Sequence, residues 1–291
     1  MQVIELVNAA LPLSLMLIVL TLGLRCTWTD TMFLFHEPAL LARSLLSMSV
    51  VVPIAALLMA TSFDLKPPVK VALVALAVSP VPPILPPKLI KLVTRDDYVY
   101  GLLVATSLLA IVLIPASLAI ISSITRHAVH VDAALVARSV ASSVLLPLGA
   151  GLLLRHFFPG FANRVSGPLS IFGNLLLLVS LVAILAFGWR GFAALVGDGT
   201  LLAFVALTVV ALGAGHLLGG PRGDDRTVLA LSNASRHPGV AIALGASLYP
   251  DQKKLIAVAV LLYLIVATIA TIPYTQWRRK RHERIIRDQA H

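Results

Sequence analysis

The side chains best suited to chemistry fall in one stretch, Ser232-Asn233-Ala234-Ser235-Arg236-His237-Pro238-Gly239, where a guanidinium, an imidazole, an amide and two hydroxyls interrupt an apolar run. A fixed positive charge among hydrogen-bond donors is anion-binding chemistry, since a guanidinium grips a carboxylate through two parallel hydrogen bonds. Arg236, His237, Ser235, Asn233 and Ser232 are therefore the side-chain candidates for substrate binding. His237 is also the candidate for proton coupling, because imidazole titrates near neutral pH without help from its surroundings. The competing reading of Arg236 is a structural charge that caps freed backbone carbonyls or pairs with an acidic residue elsewhere. An enzyme is not indicated. Ser235 and His237 have no third, orienting carboxylate in the segment, and the chain shows neither a metal-ligand cluster nor a phosphate-cradling glycine loop.

A membrane-embedded frame must position these residues. Of the 291 residues, 58% are hydrophobic and 12% charged, about half the charged share of a soluble domain. Apolar runs of spanning length occupy about 3–25, 38–63, 68–94, 98–122, 134–155, 164–188, 200–219, 227–249 and 252–276. Nine transmembrane helices joined by short connections make an all-α polytopic membrane protein without a soluble domain. The start of the chain lacks the positive region of a secretory signal and reads as a retained first helix. The net charge of +10 does not point to nucleic acid, because the basic residues sit between apolar runs and in the tail 278–291. That distribution is the one that orients membrane proteins. A cytoplasmic tail places the N-terminus outside and puts fifteen Lys and Arg inside against seven outside, or nine against seven without the tail. The expected location is the plasma membrane, or the inner membrane in a bacterium. Cys26 is the only cysteine, so no intrachain disulfide forms.

Two of the nine runs cannot be continuous helices. Pro238 lacks an amide proton and crowds the preceding turn, and Gly239 permits conformations that other residues avoid. In the third run, five prolines lie between Pro80 and Pro87. Backbone freed at membrane depth needs protein or a water-filled cavity around it, and an arginine at mid-span marks a substrate or ion pathway. The backbone at Pro82 and Pro83 therefore joins the candidate substrate site. All thirteen acidic residues lie near run ends or between runs, which leaves no carboxylate as a mid-membrane proton carrier. Broken third and eighth spans, five apart, imply two inverted repeats, 1–133 with spans one to four and 134–277 with spans five to nine. Paired broken helices are the sequence mark of a secondary transporter with its site near the midplane. Lys88 and Lys91 share a face after the first break, either drawing anions inward or snorkelling to the interface. His216 reads as a packing histidine.

This layout resembles the bile-acid/sodium symporter family. The likeness rests on Leu22-Gly23-Leu24 at the end of the first span, on Pro80 opening the third-span break, and on the run from Leu229 to Leu244. The resemblance implies a core of spans two to four and seven to nine around two crossing broken helices, with spans one, five and six as a panel. Where the family has Glu-x-x-x-Gln-Asn-x-Gly, this chain has Ser232 at the Glu position, Arg236 at the Gln and His237 at the Asn, and it keeps Gly239. The family's oxygen-rich Gly-Gly-Thr-x-Ser-Asn stretch is replaced by Val81-Pro82-Pro83-Ile84-Leu85-Pro86. Thr106 and Ser107, with backbone carbonyls, are the oxygens left for ion coupling. The expectation is a secondary transporter moving a small organic anion by alternating access without the family's usual sodium sites. The alternatives are a membrane sensor or channel-like protein on the same scaffold, or a sodium-coupled symporter using backbone ligands. No cofactor is called for, sodium being disfavoured by the lost oxygens. The partners are the organic anion and the lipid bilayer, and the sequence carries no signal of oligomeric state.

Overall fold

The computed structural model describes residues 2–90, 92–93, 96–125 and 132–289, and their regular structure is entirely helical. Lys91, Arg95 and Arg126, used in the charge count, lie outside the described residues. In chain order the helices are α1 Gln2–Gly23, α2 Trp28–His36, α3 Pro38–Leu46, α4 Val52–Ser62, α5 Pro67–Val78, α6 Pro86–Leu89, α7 Asp96–Thr125 and α8 Ala133–Val140. There follow α9 Leu146–Phe157, α10 Pro159–Leu195, α11 Thr200–Leu218, α12 Gly223–Ala234, α13 Pro238–Leu248, α14 Lys253–Ala270 and α15 Ile272–Gln289. Two π-helical turns, Ser47–Val51 and Ala141–Leu145, link α3 to α4 and α8 to α9.

Among the described residues six helices are long and apolar enough to cross a membrane: Pro38–Ser62, Asp96–Ile124, Ala133–Phe157, Pro159–Ile184, Thr200–Leu218 and Pro250–Arg281. Counting α1 with α2, which meet at a bend of 87°, makes seven. The other two apolar runs of the sequence are the proline-broken ones. Their pieces α5, α12 and α13 have 12, 12 and 11 residues, each about half of a bilayer core at 1.5 Å rise per residue.

Helix α2 is absent from the sequence reading. A reciprocal capping pair starts it: the Asp30 amide donates to Thr27 Oγ1 at 3.3 Å, and the Thr27 amide to Asp30 Oδ2 at 2.7 Å. The N-terminal residues of a helix have no intrahelical acceptors, and this exchange satisfies two of their amides.

Helix α1 packs on α9 and α10 as one group, and α11 to α14 pack with α4 and α5 as another. Small residues set the closest crossings. A Cβ on Gly23 would lie 2.3 Å from the Leu148 carbonyl oxygen, and one on Gly215 2.4 Å from Ala230 Cα. Only glycine lets α1 approach α9, and α11 approach α12, so closely. The connections gather at two ends of the bundle. Lys66, after α4, meets Asp198 at 3.5 Å and the Ala194 carbonyl at 2.6 Å at the turn before α11. At the other end Arg155 donates to the Leu24 and Arg25 carbonyls. Arg278 at that end reaches back to the start of α12, its Nε donating to Thr227 Oγ1 at 2.6 Å and its Nη2 to the Gly223 carbonyl at 2.5 Å. His216 packs on Tyr274 and Trp277 and shares a 2.9 Å hydrogen bond with the Tyr274 hydroxyl.

Candidate functional site

The two broken segments touch. The His237 amide donates to the Pro80 carbonyl at 3.0 Å, and Arg236 Nη1 donates to the Ser79 carbonyl at 3.1 Å. The second break lies at Ser235, Arg236 and His237, one step earlier than Pro238 and Gly239 alone imply. Proline drives the residue before it into an extended conformation, as His237 adopts with ψ 107°. Pro238 then opens α13 at the position where a missing amide proton costs nothing. His237 Nδ1 caps α13 by accepting from the Val240 amide at 3.3 Å. Gly239 is helical here, and its use is spatial: a Cβ at that position would sit 3.2 Å from His237 Cε1.

Each break leaves carbonyls short of a donor, and the residues that replace the donors are specific. In the helical register the Ser79 carbonyl would take an amide proton from residue 83, which is a proline, and it receives Arg236 Nη1 instead. In the π register at Ser47–Val51, the Val52 amide donates to the Ser47 carbonyl, so the Met48 carbonyl would take its proton from residue 53. Pro53 has none to give, and Arg236 Nη2 donates there at 3.2 Å. The Asn233 carbonyl loses the His237 amide to Pro80 and takes Arg236 Nε at 3.0 Å. The Ala234 carbonyl, which faces Pro238 in register, accepts from the Tyr263 hydroxyl at 3.0 Å. Arg236, 2% exposed, thus ties the two breaks and the π turn together through three neutral carbonyls. Among the described residues no carboxylate pairs with it.

The sequence candidates divide among three places. Ser235 and Pro82 line a cavity of about 360 Å³ bounded by α1 and α10 on one side and by α14 and both breaks on the other. Its walls are mainly aliphatic, and among the described residues the exposed Lys88 is its one charged lining residue. Arg236 and Thr106 face a separate chamber of about 20 Å³ with Ser49 and Ser79. Ser232, Asn233, His237, Ser107 and Pro83 are buried and line neither. Asn233 donates to Ser47 Oγ at 2.5 Å and to the Ala211 carbonyl at 3.1 Å. The oxygens Ser107 Oγ, Ser232 Oγ and Asn233 Oδ1, and the nitrogen His237 Nε2, have no hydrogen-bond partner among the described residues. Sequence reasoning did not find Met48, Ser49, Pro53 or Tyr263. Pro53 in an apolar span was the visible signal, since a mid-span proline always leaves a carbonyl to be answered.

A model of the sodium bile acid symporter family matches residues 12–194, more than half of the chain. The chain belongs to this family. It is therefore a multi-pass membrane protein of a transport family. The matched residues of this symporter-family member include the first break, α1 from residue 12 onward, and α10 up to residue 194, segments that wall the larger cavity. The search of curated proteins returned no match.

Proposed function

We propose that the protein is a secondary transporter that carries a small organic anion through the 360 Å³ cavity, by alternating movement of the α1, α9 and α10 group against the helices that hold the two breaks. The observation that carries this reading is the position of that cavity: both broken segments and the facing helix group line it, with Lys88 set among largely apolar walls. Its volume falls in the usual range for small-molecule sites. An apolar body fits the walls and an acidic group fits Lys88. The family's name, which pairs sodium with bile acid, agrees with an amphipathic anion as cargo.

The proposed topology is nine spans in two inverted repeats, 1–133 and 134–277, followed by the tail 278–291, with the N-terminus outside and the C-terminus cytoplasmic. Contacts at the two ends support it. Among the described residues, Lys66 with Asp198 and Arg155 with Arg25 each join two connections assigned to the same side.

In this reading Arg236 replaces the coupling ion. A bound cation would hold the broken helices together by drawing carbonyls to one centre, and the guanidinium draws in three. A tethered charge cannot be released, so transport does not run on a sodium gradient. His237 is the proposed proton-coupling residue, since its buried Nε2 is without a partner among the described residues. One observation favours a sodium-coupled alternative, namely the three unpartnered buried oxygens of Ser107, Ser232 and Asn233, because sodium takes oxygen ligands.

The test is a ligand-stabilisation screen of the purified protein against organic anions with and without sodium, followed by uptake of the hits into proteoliposomes. A stabilising anion that is carried supports the reading, and one that binds without flux makes the protein a sensor.

A further inference from the structure

We propose that the chamber beside Arg236 is a binding site for a monatomic anion of chloride size, held by the guanidinium and the hydroxyl of Ser49. Guanidinium stays protonated in proteins, and a buried charge is costly unless it is compensated. Three carbonyl dipoles solvate Arg236 but leave its charge uncancelled, and no carboxylate among the described residues pairs with it. Guanidinium carries five N–H donors, of which three are used. One donor therefore remains on each terminal nitrogen.

Size decides which anion answers the charge. The chamber that Arg236 lines measures about 20 Å³, room for a particle of about water size and far smaller than the 360 Å³ cavity proposed for the organic anion. The larger cavity, where an organic anion fits, is lined by Ser235 but not by Arg236. The transported anion and the anion that neutralises Arg236 are thus different species in different places.

The chamber's hydroxyls sharpen the assignment. Thr106 Oγ1 donates to the Leu102 carbonyl and Ser79 Oγ to the Leu76 carbonyl, so neither proton is spare. Ser49 lies in the π turn whose carbonyl at Met48 already holds Arg236. Its hydroxyl has no partner among the described residues, and it lines the same chamber. Two guanidinium protons and the Ser49 hydroxyl proton are the donors the site offers, and no carboxylate among the described residues lines it to repel a halide. The inference does not depend on which organic anion is carried.

The experiment is thermal unfolding of the purified full-length protein in gluconate buffer, titrated with chloride or bromide at constant ionic strength and with no organic anion other than gluconate. The expected result is a saturable rise in unfolding temperature with either halide. It is lost in Arg236→Gln, and in Ser49→Ala it is displaced to several-fold higher halide concentration. Should Arg236→Gln fail to fold, Ser49→Ala and a bromide anomalous-diffraction map decide. Bromide density within hydrogen-bond reach of Arg236 and Ser49 supports the site. Equal unfolding temperatures in gluconate and chloride, bromide density elsewhere, or a halide response unchanged in Ser49→Ala overturns it and leaves the chamber to water.

Discussion

Replacing Arg236 by glutamine tests the tether directly. The wild-type side chain gives three hydrogen bonds to carbonyls on α12, on the first break and on the π turn. Hydrogen bonds involving a charged group contribute about 1.5–3 kcal/mol each, so the gross loss is about 4.5–9 kcal/mol. Two effects oppose it. The cost of burying an ion, several kcal/mol, disappears, and the shorter glutamine amide recovers one of the three carbonyls. A net loss of about 2–4 kcal/mol remains, which at roughly 2–4 °C per kcal/mol for a chain of this length lowers the unfolding temperature by about 5–15 °C. Differential scanning fluorimetry of the purified variant reads that shift. Proteoliposome uptake reads the second consequence, loss of anion transport by a protein that still inserts and folds. An unchanged unfolding temperature would refute the carbonyl accounting, and wild-type uptake would refute the assignment of Arg236 to the transport machinery.

Three other outcomes follow from the same geometry. Tyr263→Phe strands the Ala234 carbonyl and should cost about 1 kcal/mol in unfolding free energy, measurable by chemical denaturation. Gly23→Ala pushes a methyl group against backbone rather than a flexible side chain; overpacking of that kind costs about 1–3 kcal/mol, and disulfide trapping between cysteines placed on α1 and α9 should report wider separation. Lys88→Gln should raise KM for the organic anion roughly tenfold, the equivalent of about 1.4 kcal/mol, with little change in maximal rate, because the lysine is exposed and meets the anion as it binds.

Much of the architecture is legible in the sequence because prolines that are clustered, or that follow a polar step, end helices. Five prolines from Pro80 to Pro87 and the Arg236-His237-Pro238 step announce both breaks, and the structure brings them into contact through His237 and Pro80. The partners of the freed carbonyls were not legible, because they come from distant elements. Nothing near Tyr263 in the sequence points to Ala234, and Met48 is exposed to Arg236 only through a π turn that Pro53 makes useful. Gly239 was readable as special but not for the right cause, since it makes room for an imidazole rather than adopting an unusual conformation. Helix α2 escaped because its signal is a two-residue capping exchange, not an apolar period. The division of the site into a cavity holding Ser235 and a chamber holding Arg236 depends on which way adjacent side chains leave the three-residue break, and spacing alone does not give that.

The central claim is that a tethered arginine stands where a coupling ion would bind. The measurement that tests it most directly is initial-rate uptake of a carried organic anion into proteoliposomes, with external sodium replaced by potassium or choline at constant chloride. The account predicts equal rates in all three cations, with any pH dependence abolished in His237→Gln. Saturable stimulation of wild-type uptake by sodium would contradict it, and would assign the unpartnered oxygens of Ser107, Ser232 and Asn233 to the ion instead.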